Sequence, residues 1–139
     1  MTFGKIMIGL LIISHCDLGK ELLNAAELIL GRLDVSSAIS ITETTESEAL
    51  LRTISEEIKA LDHGQGVLVL TDMFGGTPSN LSLSFLKEES VEVLTGVNLP
   101  MVVEVAQSRN RMTLGELGEK AQEAGTRGIA LAGKLLKSK

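Results

Sequence analysis

Residues 6 to 13 read Ile-Met-Ile-Gly-Leu-Leu-Ile-Ile, eight positions without one polar side chain, and Ser14 and His15 follow at once. Eight residues are too few to cross a bilayer, which takes about 20 in a helix. A strand with one wet face would alternate apolar and polar side chains. An unbroken run of this length instead marks a strand covered on both faces, the situation of an inner strand in a parallel sheet. Lys5 before the run and Ser14-His15-Cys16 after it give the outline of a short secretory signal ending in a lipidated cysteine. The bulky, polar His15 stands where such a cleavage site requires a small residue, so the strand is the reading adopted.

The rest of the chain supplies the covering helices. Lys5 to Ser14 is taken as the first strand, and Leu22, Ala25, Ala26, Ile29 and Leu30 form a helical stripe within a helix from about Leu18 to Leu30. Gly31 is placed to terminate it in a left-handed conformation. Val35 to Thr42 alternates and predicts a second strand; Thr45 and Glu48 spell a capping box opening a helix that continues to about Leu61. Val67 to Thr71 is another continuous apolar strand. Pro78 suits the first turn of a helix running through Leu81, Leu83, Phe85 and Leu86. Val91 to Thr95 is a fourth strand, Asn98 and Pro100 open a short helix across Met101 to Gln107, and Thr113 with Glu116 caps the last long helix. The tail, Ile129 to Leu136, fits period two about as well as helical spacing. No linker or repeat interrupts this order. It predicts an α/β fold in a single domain over residues 1–139: a doubly wound, mainly parallel open sheet with helices on both faces.

Composition excludes several functions for such a domain. With 44% apolar and 22% charged residues the chain is a folding one, but 3 Phe and no Trp or Tyr cannot build the aromatic platform that usually holds sugars or single-stranded bases. The 13 basic and 18 acidic residues leave a net charge of −5, the wrong sign for a nucleic-acid partner. Glu43, Glu46, Glu48, Glu56, Glu57 and Asp62 read as a solvated acidic helix face, and Arg127, Lys134, Lys137 and Lys139 as a solvated basic tail. A single Cys forms no internal disulfide and suits a reducing cytoplasm.

In open parallel sheets ligands bind beyond the carboxyl ends of the strands, where the winding direction reverses. That rule selects Ser14-His15-Cys16-Asp17, Thr71-Asp72-Met73-Phe74 and Thr95-Gly96. His15 and Asp72 are then the candidate nucleophile and its orienting carboxylate, facing each other if the first and third strands are neighbours. After Asp72 comes Gly75-Gly76-Thr77-Pro78-Ser79-Asn80, a glycine pair running into a helix start. Glycines let backbone N–H groups approach an anion, first-turn N–H groups add positive potential, and Thr77 and Ser79 carry hydroxyl donors. Such a set can carry a phosphoryl group on His15, with Asp72 holding Nδ1–H and Nε2 left to attack. Taken singly, a strand-end His is more often structural and a Gly-Gly turn more often only a loop; it is their joint placement that favours chemistry.

Competing motifs fail. Cys16 points away from His15 in extended chain, which argues against a Cys–His dyad, and His63 reads as a loop residue. Gly128 to Lys134 begins like a P-loop, but Leu135 replaces the Mg-binding hydroxyl. No G-x-G-x-x-G follows a strand, and no Cys/His cluster has zinc spacing, so no cofactor or metal is expected.

With the strand ending in His15, the block Asp72-x-Phe74-Gly75-Gly76-Thr77-Pro78-Ser79-Asn80, and Thr95-Gly96-Val97-Asn98-Leu99-Pro100-Met101, the chain resembles the enzyme IIA component of the mannose/fructose/sorbose class of the bacterial phosphoenolpyruvate-dependent sugar phosphotransferase system. The resemblance implies that His15 accepts a phosphoryl group from the phosphocarrier HPr and passes it to a histidine of an enzyme IIB component, here expected on a separate chain. It makes Asp72 the carboxylate beside that histidine, Thr77 the hydroxyl on the phosphate, and Phe74 and Asn98 residues flanking the site. It further implies a cytoplasmic homodimer, at most peripheral to the membrane, that exchanges a C-terminal strand, which would make the tail a strand near Ile129 to Leu136. Members commonly carry Gly directly after the active histidine, where this chain has Cys16. Three alternatives remain: a regulatory module switched by phosphorylation of His15, a phosphocarrier subunit of a dihydroxyacetone kinase, and a receiver-like domain phosphorylated on Asp72. The last lacks the acidic pair that receivers carry at the end of the first strand.

Overall fold

A computed structural model of the chain describes residues 7–73, 75–87 and 89–137. Phe74, Lys5 and Ile6, all used in the sequence reading, lie outside them. The elements run β1 (Gly9–His15), α1 (Leu18–Leu30), β2 (Ser36–Ile41), α2 (Ser47–Leu61), β3 (Val67–Thr71), α3 (Thr77–Leu83), β4 (Val91–Thr95), α4 (Leu99–Ser108), α5 (Leu114–Arg127) and α6 (Ala132–Lys137). All strand pairings between named strands are parallel, in the order β2-β1-β3-β4. The chain winds outward from β1 to β2, then crosses back to β3 and β4, so the winding reverses between β1 and β3.

Both inner strands are buried on both faces, which explains their unbroken apolar runs. Ile8, Leu10 and Ile12 of the β1 segment join Leu68 and Leu70 of β3 in one cluster with Ala26, Val102, Val105, Leu117 and Ala121 from α1, α4 and α5. Leu11, Ile13, Val67 and Val69 point the other way, into Leu50, Ile54, Ile58 and Leu61 of α2. Alternate residues of a single strand therefore feed two cores, as a period of two requires.

Four details depart from the expectations. The capping box at Thr45 does not form. Instead Thr45 Oγ1 accepts from the Thr42 amide at 2.9 Å, closing a turn, and α2 starts at Ser47 with Glu46 in the cap position and no side-chain cap. α3 stops at Leu83 rather than reaching Leu86. Ser82 and Ser84 donate their hydroxyls to the carbonyls of Pro78 and Leu81, and the following amides bond three residues back. Hydroxyls competing for helix carbonyls weaken a helix in this way. Gly31 takes a positive φ of 90° but with ψ −172°, so it terminates α1 without a left-handed turn. The tail is a short helix, α6, and not the expected strand near 129–136. A strand requires a neighbouring edge to pair with, whereas Leu135 N–H bonds locally to Leu131 C=O at 3.0 Å. The capping box at Thr113 and Glu116 and the Asn98 cap form as expected.

Candidate functional site

The reversal between β1 and β3 brings His15 and Asp72 together. Asp72 Oδ2 accepts two hydrogen bonds from His15, one from its backbone N–H and one from Nδ1, each at 2.8 Å, while Oδ1 accepts the Met73 amide at 3.0 Å. The His15 side chain is 51% exposed and that of Asp72 only 9%. The carboxylate thus sits beneath the ring, and the ring faces solvent. Proton placement on the ring follows from its partner: a carboxylate on Nδ1 holds the proton there and leaves the Nε2 lone pair free. Burial by itself pushes the Asp72 carboxyl up, but the two bonds from His15, the charge its ring can carry and the Met73 amide outweigh it and hold the pKa below the ordinary carboxylate value.

Gly76 passes close to the ring. A Cβ at Gly76 would stand 3.3 Å from His15 Cε1, tighter than an ordinary contact. Cε1 joins Nδ1 to Nε2, so the backbone at Gly76 runs beside the edge of the ring that holds both nitrogens. Gly75 has φ 84°, a left-handed conformation in which other residues are strained. Thr77 follows as the first residue of α3 and is exposed. First-turn amides of a helix have no intrahelical partner, so this segment can offer N–H groups to an anion.

Two expected participants are placed differently. Ser79 is fully buried and its hydroxyl has no hydrogen-bond partner among the described residues. Its side of α3 packs against the sheet, so it does not present a donor at the surface. Asn98 spends both ends of its amide on the scaffold: Oδ1 accepts from Met101 N–H at 3.0 Å and Nδ2 donates to Gly125 C=O at 2.9 Å. It joins α4 to α5 rather than facing His15.

The turn after His15 was not legible from the sequence. Cys16 is exposed and has φ 50°, a left-handed conformation that glycine adopts without strain. Its N–H donates to Ile41 C=O at 2.8 Å. Ser14, fully buried, accepts from Gly19 N–H at 2.8 Å and donates to Cys16 C=O at 3.2 Å. Ser40 donates to Asp17 Oδ1 at 2.7 Å. The one signal that could have found Ser14 is Gly19, five residues on. A Cβ there would press Ile12 and stand 3.3 Å from Ser14 Oγ.

Cys16→Gly should raise stability. A non-glycine residue in the left-handed region costs about 1–2 kcal/mol, and glycine returns roughly half of that through its freer unfolded chain. The net gain expected is about 0.5–1 kcal/mol, or about 2–4 °C in Tm for a domain of this size. Thermal unfolding by circular dichroism checks it, and an unchanged or lower Tm contradicts it.

A family model described as the PTS system fructose IIA component matches residues 9–122, most of the chain. The mannose-specific EIIAB component of Escherichia coli (strain K12) is 34% identical over 134 residues, covering 95% of this chain and 40% of that protein. The sorbose-specific EIIA component of Lacticaseibacillus casei is 31% identical over 111 residues, covering 78% of each. In the crystal structure of a phosphotransferase system EIIA component from Streptococcus agalactiae the fold recurs with a TM-score of 0.84 at 27% identity, over 92% of this chain and 99% of that one. The family match spans most of the chain and the fold recurs in a solved EIIA component, so this chain belongs to the enzyme IIA family of the mannose/fructose/sorbose class of the phosphotransferase system.

Proposed function

We propose that this chain is a phosphohistidine carrier, taking a phosphoryl group from HPr onto His15 Nε2 and passing it to an enzyme IIB component during sugar uptake. The observation that carries this reading is the 2.8 Å contact between His15 Nδ1 and Asp72 Oδ2 under a half-exposed ring. In the acceptance step the Nε2 lone pair attacks phosphorus. The Nε2–P bond forms as the donor's N–P bond breaks, and that bond's electron pair returns to the donor nitrogen. The proton on Nδ1 stays where it is, and the carboxylate balances the positive charge that the phosphorylated ring gains. Amides of Gly75, Gly76 and Thr77, with the Thr77 hydroxyl, are the proposed cradle for the phosphoryl oxygens; Ser79 is not part of it.

The position of the site favours a protein partner over a small ligand. His15 lies on an open surface flanked by the exposed apolar side chains of Leu18, 48% accessible, and Met73, 56% accessible. A concavity of about 730 Å³ lies instead at the opposite end of the sheet, lined among others by Gln65, Leu86, Glu89, Val91 and Leu114. No helix among the described residues is long and apolar enough to cross a membrane. Incubation with phosphoenolpyruvate, enzyme I and HPr, followed by intact-mass measurement, tests the proposal. One acid-labile phosphoryl adduct is expected, and its absence counts against the carrier role.

The same reading makes the chain a homodimer held by its tail. Ile129, Leu131 and Leu136 are 77%, 75% and 67% exposed, and β4 is the last strand on its side of the sheet, its outer side bridged at Val91 by Lys87. Exposed apolar side chains clustered on one segment are what a subunit contact requires. A chain ending at residue 128 should keep its fold and sediment as a monomer, while the full chain sediments as a dimer. A truncated chain that remains dimeric contradicts the role of the tail.

A further inference from the structure

We propose that Ser14 is a positioning residue for phosphoryl transfer, its buried hydroxyl latching the turn that carries His15. The inference rests on the carrier reading of His15. The turn has only two residues, Cys16 and Asp17, between the end of β1 and the start of α1. Its geometry is strained, since Cys16 sits at φ 50°. Something must hold it there, and both ends of the Cys16 residue are held: its N–H by Ile41 C=O and its C=O by the Ser14 hydroxyl.

The same hydroxyl accepts the Gly19 N–H, one of the α1 first-turn amides that have no partner within the helix. One buried oxygen therefore ties the last inner residue of β1 to the turn and to α1. Because Ser14 and His15 project to opposite sides of the strand, this tie lies on the far side of the backbone from the imidazole. It touches neither phosphoryl group nor partner. Its effect on chemistry passes through the backbone of His15, whose N–H must reach Asp72 Oδ2 for the ring to reach it as well.

Without the hydroxyl, Cys16 C=O and Gly19 N–H lose their partner, and the bond from Cys16 N–H to Ile41 C=O is left to hold Cys16 in the left-handed region. The His15 ring is then free to turn, and part of the population presents Nδ1 instead of Nε2. Loss of a group that orients a reactive one commonly costs about 10–100-fold, and displacement of a reacting atom by about 1 Å can cost about 100-fold.

The test compares Ser14→Ala, Cys16→Gly and the double variant, with rates expressed per folded molecule. Ser14→Ala should lower the maximal rate of phosphoryl acceptance about tenfold and leave the HPr concentration for half-maximal rate unchanged, because the docking surface is untouched. In ¹⁵N NMR of the unphosphorylated protein, the wild-type imidazole should show Nδ1 protonated, and Ser14→Ala a mixture of tautomers. Glycine adopts the turn without help, so adding Cys16→Gly to Ser14→Ala should restore most of the rate and the single tautomer. A Ser14→Ala protein with wild-type rate and tautomer overturns the inference, as does a double variant no better than Ser14→Ala. Should Ser14→Ala alone fail to fold, a folded double variant with the single tautomer supports the latch and one with mixed tautomers overturns it. Failure of the carrier reading itself is distinguishable: the wild type would then take no phosphoryl group on His15, while the tautomer comparison still reports on Ser14.

Discussion

His15→Ala should abolish phosphoryl acceptance, with the adduct absent from the intact mass and the rate lowered by at least about 10⁴-fold, the scale on which removing a nucleophile usually registers. The only other histidine is His63, in the turn after α2 at the opposite end of the sheet, too far around the fold to receive the same donor. Cys16 adjoins the site but cannot form a phosphoramidate. The substitution should leave the fold in place. The ring is half exposed, and the backbone bond from residue 15 to Asp72 Oδ2 survives the loss of the side chain. What changes is Asp72: it keeps its burial and loses the ring, so its carboxyl should titrate higher than in the wild type. An adduct of undiminished yield in His15→Ala contradicts the assignment.

Asp72→Asn should slow transfer by about 10²- to 10⁴-fold with little change in structure, the range seen when a histidine's orienting carboxylate is made neutral. The amide can donate to Nδ1 as readily as accept from it. Donation would leave the proton on Nε2, where no lone pair remains for attack. The charge that balances the phosphorylated ring is lost as well. Stopped-flow acceptance from phospho-HPr measures the change, and a rate within threefold of wild type removes Asp72 from an orienting role. The wild type carries a related pH signature. The Asp72 pKa is lower in the folded protein than its unfolded value of about 3.9. Its contribution to stability is therefore complete above that ordinary value and is lost as pH falls through the lowered folded value. Acid unfolding of Asp72→Asn should lack this component, visible as a smaller loss of stability below about pH 4 than in the wild type.

Much of this site was legible because burial on two faces leaves a plain sequence trace. β3 and β4 match the expected Val67–Thr71 and Val91–Thr95, and α1 matches Leu18–Leu30. With the strands located, the rule for parallel sheets pairs His15 with Asp72 on the condition that β1 and β3 are neighbours, and the strand order meets that condition. The errors share a different origin. Thr45 and Glu48 have capping-box spacing, yet Thr45 serves a turn with Thr42, a choice made by how β2 meets α2. Ser79 looks like a surface donor until the packing of α3 turns it inward. The left-handed Cys16 and the Ser14 bonds behind it have no local signature, because a residue's φ is set there by the strand on one side and the helix on the other. The tail was ambiguous in period, and the structure forms a local helix there.

The most direct measurement is ³¹P–¹⁵N correlation on the protein labelled with ¹⁵N-histidine and phosphorylated through HPr. Coupling of phosphorus to Nε2 of His15 alone, with Nδ1 still protonated against Asp72, is the expected result. Coupling to Nδ1, or phosphorus on an acyl phosphate at Asp72 with no nitrogen coupling, contradicts it.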